Sequence, residues 1–108
     1  MLLESLLKIE SAWLEKIVIA YEPVFAIGTG VAATPAYAQS VHLFIRNCLK
    51  KHFGQVADRL RIVYGGSVTS AHVGRFLECP DIDGALIGGA SLVAESFLDI
   101  VRYHKEKE

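Results

Sequence analysis

An apolar strand, followed by a polar or glycine-rich loop and then by a helix, occurs three times along this chain. The strand candidates and the helices expected after them cover residues 16–21 with 34–53, 60–64 with 71–78, and 84–87 with 94–105. A helix between consecutive strands is typical of right-handed crossovers, which make the strands parallel. We therefore predict an α/β fold of three parallel βα units. An open doubly wound sheet and a segment of a closed barrel both fit this pattern.

The length of the chain, 108 residues, allows one small domain. We expect this domain to span residues 1–108, with a helix over 1–15 that precedes the three units in 16–108. The first segment is predicted to be helical because Leu2, Leu3, Leu6 and Leu7 recur at helical spacing.

Charge and hydropathy exclude several classes of protein. The formal net charge is -1 and the basic residues are scattered, so there is no electrostatic case for binding nucleic acid or an anionic membrane. No run reaches the roughly 18 apolar residues of a membrane span, and the N-terminus lacks a signal sequence, so we expect a cytoplasmic protein. Cys48 and Cys79 form no CxxC pair and are expected to be free thiols.

The histidines fall on predicted helices or helix ends, at positions 42, 52, 72 and 104. No two of them have metal-ligand spacing backed by carboxylates. We therefore predict no metal site and a surface position for each of the four.

The three strand candidates end in residues that suit a ligand site. Glu22 ends the first, Gly65-Gly66-Ser67 follows the second, and Gly88-Gly89 follows the third. In α/β folds ligands bind at the carboxyl ends of the strands. Glycine turns leave backbone N–H groups free to approach an anion. Because neither turn contains Lys or Arg, we predict a phosphate monoester held by backbone dipoles.

Each of these features has a common structural explanation when it is considered alone. A glutamate at a strand end before proline is more often a cap or an ion-pair partner. A Gly-Gly pair is an ordinary requirement of a tight turn. Their occurrence at three consecutive strand ends, on one edge of the sheet, favours a functional site.

Three blocks of sequence resemble the triosephosphate isomerase family in order and spacing. They are Tyr21 to Gly30 (YEPVFAIGTG) with Ala33-Thr34-Pro35, Tyr64 to Val68 (YGGSV), and Asp81 to Leu92 (DIDGALIGGASL). The resemblance runs from about Trp13 to Tyr103. It implies that the chain is the C-terminal segment of a (β/α)8 TIM barrel, with its sixth, seventh and eighth strands, and that residues 1–12 are the end of the fifth helix.

The resemblance also implies roles in an isomerase of glycolysis and gluconeogenesis that uses no cofactor. Glu22 corresponds to the general base that interconverts dihydroxyacetone phosphate and glyceraldehyde 3-phosphate through an enediolate. Tyr64 corresponds to a latch for the closed lid, and Ile27 and Leu86 to an apolar clamp around the base. The phosphate-binding residues implied are Gly28, Ser67, Gly88 and Gly89. The lid residues implied are Pro23, Val24, Phe25, Ala26, Ile27, Gly28, Thr29 and Gly30.

Three lid positions depart from the commonest family pattern. Phe25 stands where Trp is usual, Val31 where a basic residue is common, and Ala32 where Thr or Ser is frequent. We expect these differences to affect the motion of the lid more than the chemistry.

The chain matches only part of a barrel, which needs about 250 residues. The family's electrophilic histidine, and its Asn and Lys after the first strand, have no counterpart here, so we expect the 108 residues alone to be inactive or nearly so. The full-length family forms homodimers, mostly through the other part of the barrel, which leaves the assembly of this segment open. The alternatives are a non-enzymatic phosphate-binding half-barrel and a segment that needs a complementary N-terminal fragment.

Overall fold

The structure, a computed structural model, describes residues 2–23 and 33–107 and contains a parallel sheet of three strands. The strands are β1 (Val18–Tyr21), β2 (Arg61–Tyr64) and β3 (Gly84–Ala85). They lie side by side in chain order, with Tyr21 opposite Tyr64 and Tyr64 opposite Ala85. The third strand is shorter than the predicted 84–87, although Leu86 N still donates to Tyr64 O at 2.8 Å.

Helices follow each strand as the periodicity predicts. The α-helices are α1 (Leu2–Leu7), α2 (Pro35–Phe53), α3 (Val73–Leu77) and α4 (Ala94–Lys107), and short 3-10 helices span Ser11–Lys16, Gly54–Asp58 and Gly89–Leu92. The ends of α2 follow from local chemistry. Thr34 Oγ1 accepts a hydrogen bond from Tyr37 N at 3.1 Å, and Gly54 ends the helix with φ at 76°.

The segment before β1 is not one continuous helix over residues 1–15. It ends as an α-helix at Leu7 and resumes as a 3-10 helix at Ser11. The break brings Leu6, Ile9 and Leu14 to the same apolar cluster below α2. Burial of these side chains is worth more than continuing a short helix.

The sheet is covered by helices on one face. Ile19, Ile62 and Tyr64 point to that face and are buried against α2, α3 and α4. On the opposite face Val18 is 56% exposed and Ala20 is exposed as well. A doubly wound sheet carries helices on both faces, whereas a barrel carries them only on the outside. Covering on one side and strands in chain order therefore agree with a barrel segment.

An arginine inside the helix layer ties α2 to the loops that precede β2 and β3. Arg46 is 7% exposed, and its Nε donates to Asp81 Oδ1 at 2.8 Å while its Nη2 donates to Asp83 Oδ2 at 2.6 Å. Its Nη1 donates to the carbonyl oxygens of Leu60 at 2.8 Å and Ala57 at 3.0 Å. A guanidinium can satisfy this many acceptors at once because its donors form a planar fork. We call these five residues the Arg46 cluster.

His42 is fully buried beside the Arg46 cluster, so the surface position predicted for it is wrong. Its Nδ1–H donates to Asp81 O at 3.1 Å, and its Nε2 has no hydrogen-bond partner in the described part of the chain. The ring meets the Tyr21 ring edge-on, with 5.8 Å between centroids. His42 falls on the buried face of α2, which the residue type alone does not reveal. His52 and His72 are exposed, as predicted.

We expect the stability of the chain to fall as the pH is lowered through 6.5. Burial lowers the pKa of His42 in the folded state, against the opposing effect of its bond to the Asp81 carbonyl. Below 6.5 the unfolded chain therefore takes up a proton that the folded chain refuses, at up to about 1.4 kcal/mol per pH unit. Urea unfolding between pH 7.5 and 5 measures this slope. It should flatten in His42→Gln and persist in the control His52→Gln, and equal slopes in both variants would contradict the assignment.

The cysteines, the helices and the potential metal ligands bear on three further sequence-based expectations. Cys48 and Cys79 are free thiols, both half-buried. Among the described helices, none combines the length and the apolar character needed to cross a membrane. Within residues 2–23 and 33–107, no group of His, Cys, Asp and Glu is arranged to hold a metal ion.

Candidate active site

The three motifs lie at one edge of the sheet because they follow three neighbouring parallel strands. Gly65 N donates to Tyr21 O at 2.8 Å, so the first glycine turn continues the β1–β2 pairing beside Glu22. The bond from Leu86 N to Tyr64 O continues the pairing between β2 and β3 in the same way. Gly88 and Gly89 follow Leu86 in the chain, with Ile87 between Leu86 and Gly88.

Glu22 is exposed at this edge and packs against the first glycine turn. A methyl group on Gly65 would come within 2.7 Å of Glu22 Cγ, so only glycine leaves room for the carboxylate side chain in this position. The backbone on both sides of Glu22 is held, since Tyr21 lies in β1 and Pro23 is buried. Burial and a hydrogen bond with Tyr37 raise the pKa of Tyr21 to about 12.

Tyr64 ends β2 with its side chain buried under the same edge. Its hydroxyl accepts a hydrogen bond from Ala33 N at 3.3 Å, and its ring stacks on Phe76 with 4.4 Å between centroids. Burial raises the pKa of the Tyr64 phenol, although the Ala33 N–H opposes this. Any side chain at Gly66 would collide with the Tyr64 hydroxyl. The hydroxyl is thus fixed against the residue that follows segment 24–32.

The second glycine turn is open to solvent. Gly88 and Gly89 are exposed, and a Cβ at either would meet nothing within 4 Å. The turn is stabilised by Ser91, whose N and Oγ both donate to Gly88 O, at 2.9 and 2.6 Å. Ser67 is exposed in the loop after β2. The second turn therefore has free space in front of its backbone, as an anion site requires, whereas Glu22 and Tyr64 lie close against the glycines of the first turn.

Several of the predicted site residues lie outside the described part of the chain. They are the phosphate-binding residue Gly28 and the lid positions Val24, Phe25, Ala26, Ile27, Thr29 and Gly30, together with Val31 and Ala32. Leu86, the other half of the predicted clamp, is 48% exposed. The structure therefore brings Glu22, Tyr64 and the two glycine turns to one edge of the sheet.

The steric role of Gly65 was not apparent from the sequence. The Gly-Gly pair predicts a turn and an anion site, and the pattern by itself indicates no contact between Gly65 and Glu22. The strand register could have predicted this contact, because Gly65 is one residue beyond Tyr64, which pairs with Tyr21. Gly65 must therefore lie beside Glu22 in any parallel pairing of this kind.

Comparison with known proteins agrees with this geometry. The family model described as triosephosphate isomerase matches residues 2–104. A triosephosphate isomerase of Hahella chejuensis is 57% identical over 84 residues, covering 78% of this chain and 34% of that protein. One from Syntrophotalea carbinolica is 55% identical over 96 residues, covering 88% and 38%, and one from Trichlorobacter lovleyi is 54% identical over 100 residues, covering 92% and 40%.

The chain thus spans between a third and two fifths of the length of these relatives. The match with the family model covers nearly every residue of the chain and includes all three strand ends. On this evidence, together with the one-sided parallel sheet, the chain belongs to the triosephosphate isomerase family.

Proposed function

We propose that this chain supplies the general base and part of the phosphate site of a triosephosphate isomerase, which interconverts dihydroxyacetone phosphate and glyceraldehyde 3-phosphate. The observation that carries the proposal is the packing of Glu22 against Gly65, at the edge where both glycine turns lie. This arrangement sets a carboxylate at the same edge as two glycine turns, of which the second is open to solvent.

In the proposed reaction Glu22 removes a proton from one carbon of the substrate and returns it to the neighbouring carbon. A carboxylate can do this because exclusion of water from a closed site makes it a stronger base. The backbone N–H groups of Ser67 and Gly89, with Gly88 shaping the turn and Gly28 contributing from the lid, are proposed to hold the phosphate. Anchoring the phosphate fixes the distance from the reacting carbons to Glu22.

The rest of the barrel is needed for catalysis under this proposal. The face of the sheet that carries Val18 and Ala20 is exposed and also carries Arg61, and within the described residues β1 and β3 each pair with β2 alone. We propose that the N-terminal barrel portion covers this face and brings the electrophilic histidine and the lysine. For the completed barrel we propose a cytoplasmic homodimer, on the family resemblance alone.

The test is an isomerase assay on the 108-residue chain alone and after refolding with the N-terminal portion of the Trichlorobacter lovleyi relative. We expect activity only in the mixture, because the base alone cannot stabilise the enediolate. A mixture that is folded by circular dichroism but inactive would count against the proposal.

A methyl group added at Gly65 should lower the activity of the completed barrel. In Gly65→Ala the new Cβ would lie 2.7 Å from Glu22 Cγ, so the carboxylate must move. Misplacing a catalytic group by about 1 Å can cost on the order of 10²-fold. We expect kcat to fall by about that factor while KM changes less. Unchanged kcat in a variant with an unchanged melting temperature would show that Gly65 does not position the base.

A further inference from the structure

A polar cavity lies between the start of α2 and α3, and Ser67 of the loop after β2 forms part of its lining. Its volume is about 450 Å³. The polar side chains that line it are Thr34, Ser67, Thr69, His72 and Arg75, and Phe76 forms part of its apolar wall. None of its lining residues belongs to β1 or β3, so the open edges of the sheet do not border it. The described lining therefore comes from the loop and helix segments of the first and second βα units.

The charge of the lining has one sign. It includes a guanidinium, an imidazole and three hydroxyls, and no carboxylate. Within the described residues Arg75 takes part in no ion pair, whereas Arg46 and Arg59 bind carboxylates at 2.6–2.8 and 3.3 Å. Arg75 is exposed, and a guanidinium beside several hydroxyl donors attracts an oxyanion, because it can donate two parallel hydrogen bonds to it.

The hydroxyls that face the cavity are held in place by backbone structure. Thr34 caps α2, and its Oγ1 accepts from Tyr37 N while its O–H remains a donor. Thr69 begins the turn into α3, where its carbonyl oxygen accepts from His72 N at 3.1 Å and Val73 N at 2.9 Å. The backbone positions of the two threonines are thus fixed, whereas the exposed side chains of His72 and Arg75 would be ordered when a ligand binds.

We propose that this cavity binds the phosphate group of a small phosphate monoester, with Arg75 as its charged anchor and the hydroxyls of Thr34, Ser67 and Thr69 and the ring of His72 as further donors. The volume is within the range of small-molecule sites and exceeds what a bare phosphate fills, so the organic part of an ester fits as well. This site uses the Ser67 side chain, whereas the proposed substrate site uses the Ser67 backbone N–H. The inference therefore stands apart from the proposed function.

The test is a titration of the 15N-labelled chain with inorganic phosphate at constant ionic strength, followed by NMR. The amides of Thr69 and His72 and the Nε–H of Arg75 should shift saturably, with a dissociation constant in the millimolar range. Arg75→Gln should weaken this binding by about tenfold or more, the usual effect of losing a hydrogen bond to a charged group. Arg102→Gln removes an exposed arginine of α4 that does not line the cavity and should leave the binding unchanged.

Glycerol 3-phosphate provides the second arm of the experiment. It should bind this cavity at least as tightly as inorganic phosphate, and exclusion of the ester would overturn the assignment of the ligand class. Equal shifts with sodium chloride, or shifts that persist in Arg75→Gln, would overturn the site itself. Shifts confined to the amides of Gly88 and Gly89 would also overturn the site proposed here, but they would agree with the proposed substrate phosphate site. Loss of isomerase activity bears only on the proposed function.

Discussion

Replacing Glu22 by glutamine should lower the isomerase activity of the completed barrel by about 10²–10⁴-fold, the usual contribution of a positioned general base. Glutamine keeps the size and the packing against Gly65 but cannot accept the proton. The fall should therefore be in kcat, with KM changed much less, because the phosphate contacts do not involve the carboxylate. Steady-state kinetics in both directions of the reaction measure it.

The matched control is Glu15→Gln. Glu15 is an exposed glutamate of the 3-10 helix before β1 and forms a solvent-exposed ion pair with Arg59 at 3.3 Å, so its loss should leave kcat unchanged. If Glu22→Gln retains activity within a few-fold of the parent, Glu22 is not the base. A different result is that the refolded mixture containing the unchanged chain is inactive, while the unchanged chain and Glu22→Gln both bind phosphate. This result would favour the alternative of a non-enzymatic phosphate-binding half-barrel.

Replacing Arg46 by methionine should destabilise the fold by about 3–5 kcal/mol, the typical cost of removing one partner from a buried ion pair. The substitution keeps much of the apolar volume but removes the guanidinium bonds to the Asp81 and Asp83 carboxylates and to three carbonyl oxygens. Urea unfolding at pH 7.5 gives the change in the free energy of unfolding. A cost of this size is comparable to the whole stability of many small domains.

Two further variants separate the loss of charge pairing from a general effect on α2. Lys50 lies one turn after Arg46 and pairs with Asp58 at 3.2 Å, with both side chains about half exposed. Lys50→Met should therefore cost less than about 1 kcal/mol. The triple change Arg46→Met, Asp81→Asn, Asp83→Asn removes all three charges and should be milder than Arg46→Met alone. Equal costs for Arg46→Met and Lys50→Met would refute the role assigned to the Arg46 cluster.

Local chemistry was sufficient to predict β1 and the bounds of α2, but not the break between α1 and the 3-10 helix before β1. The run before Glu22 is short, apolar and β-branched, so it forms a strand, and Thr34-Pro35 and Gly54 bound α2 because each satisfies a helix end in its own neighbourhood. The edge at which the candidate site lies was also predictable. In a parallel sheet every strand ends on the same side, so Glu22 and the two glycine turns had to come together.

Contacts between distant residues were decided only by the tertiary structure. Nothing in the sequence near His42 or Arg46 distinguishes them from exposed residues of α2, yet both are buried against a loop that lies 35 or more positions later in the chain. The same is true of Gly65, whose lack of a side chain matters only because Glu22 packs there.

Local patterns in the sequence are enough to indicate the three βα units, the family and the edge of the sheet that carries the site. Long-range packing establishes that helices cover one face of the sheet and which polar side chains they enclose. These contacts depend on the free energy of burying groups that are far apart in the chain, and a local sequence pattern does not show which distant groups come into contact.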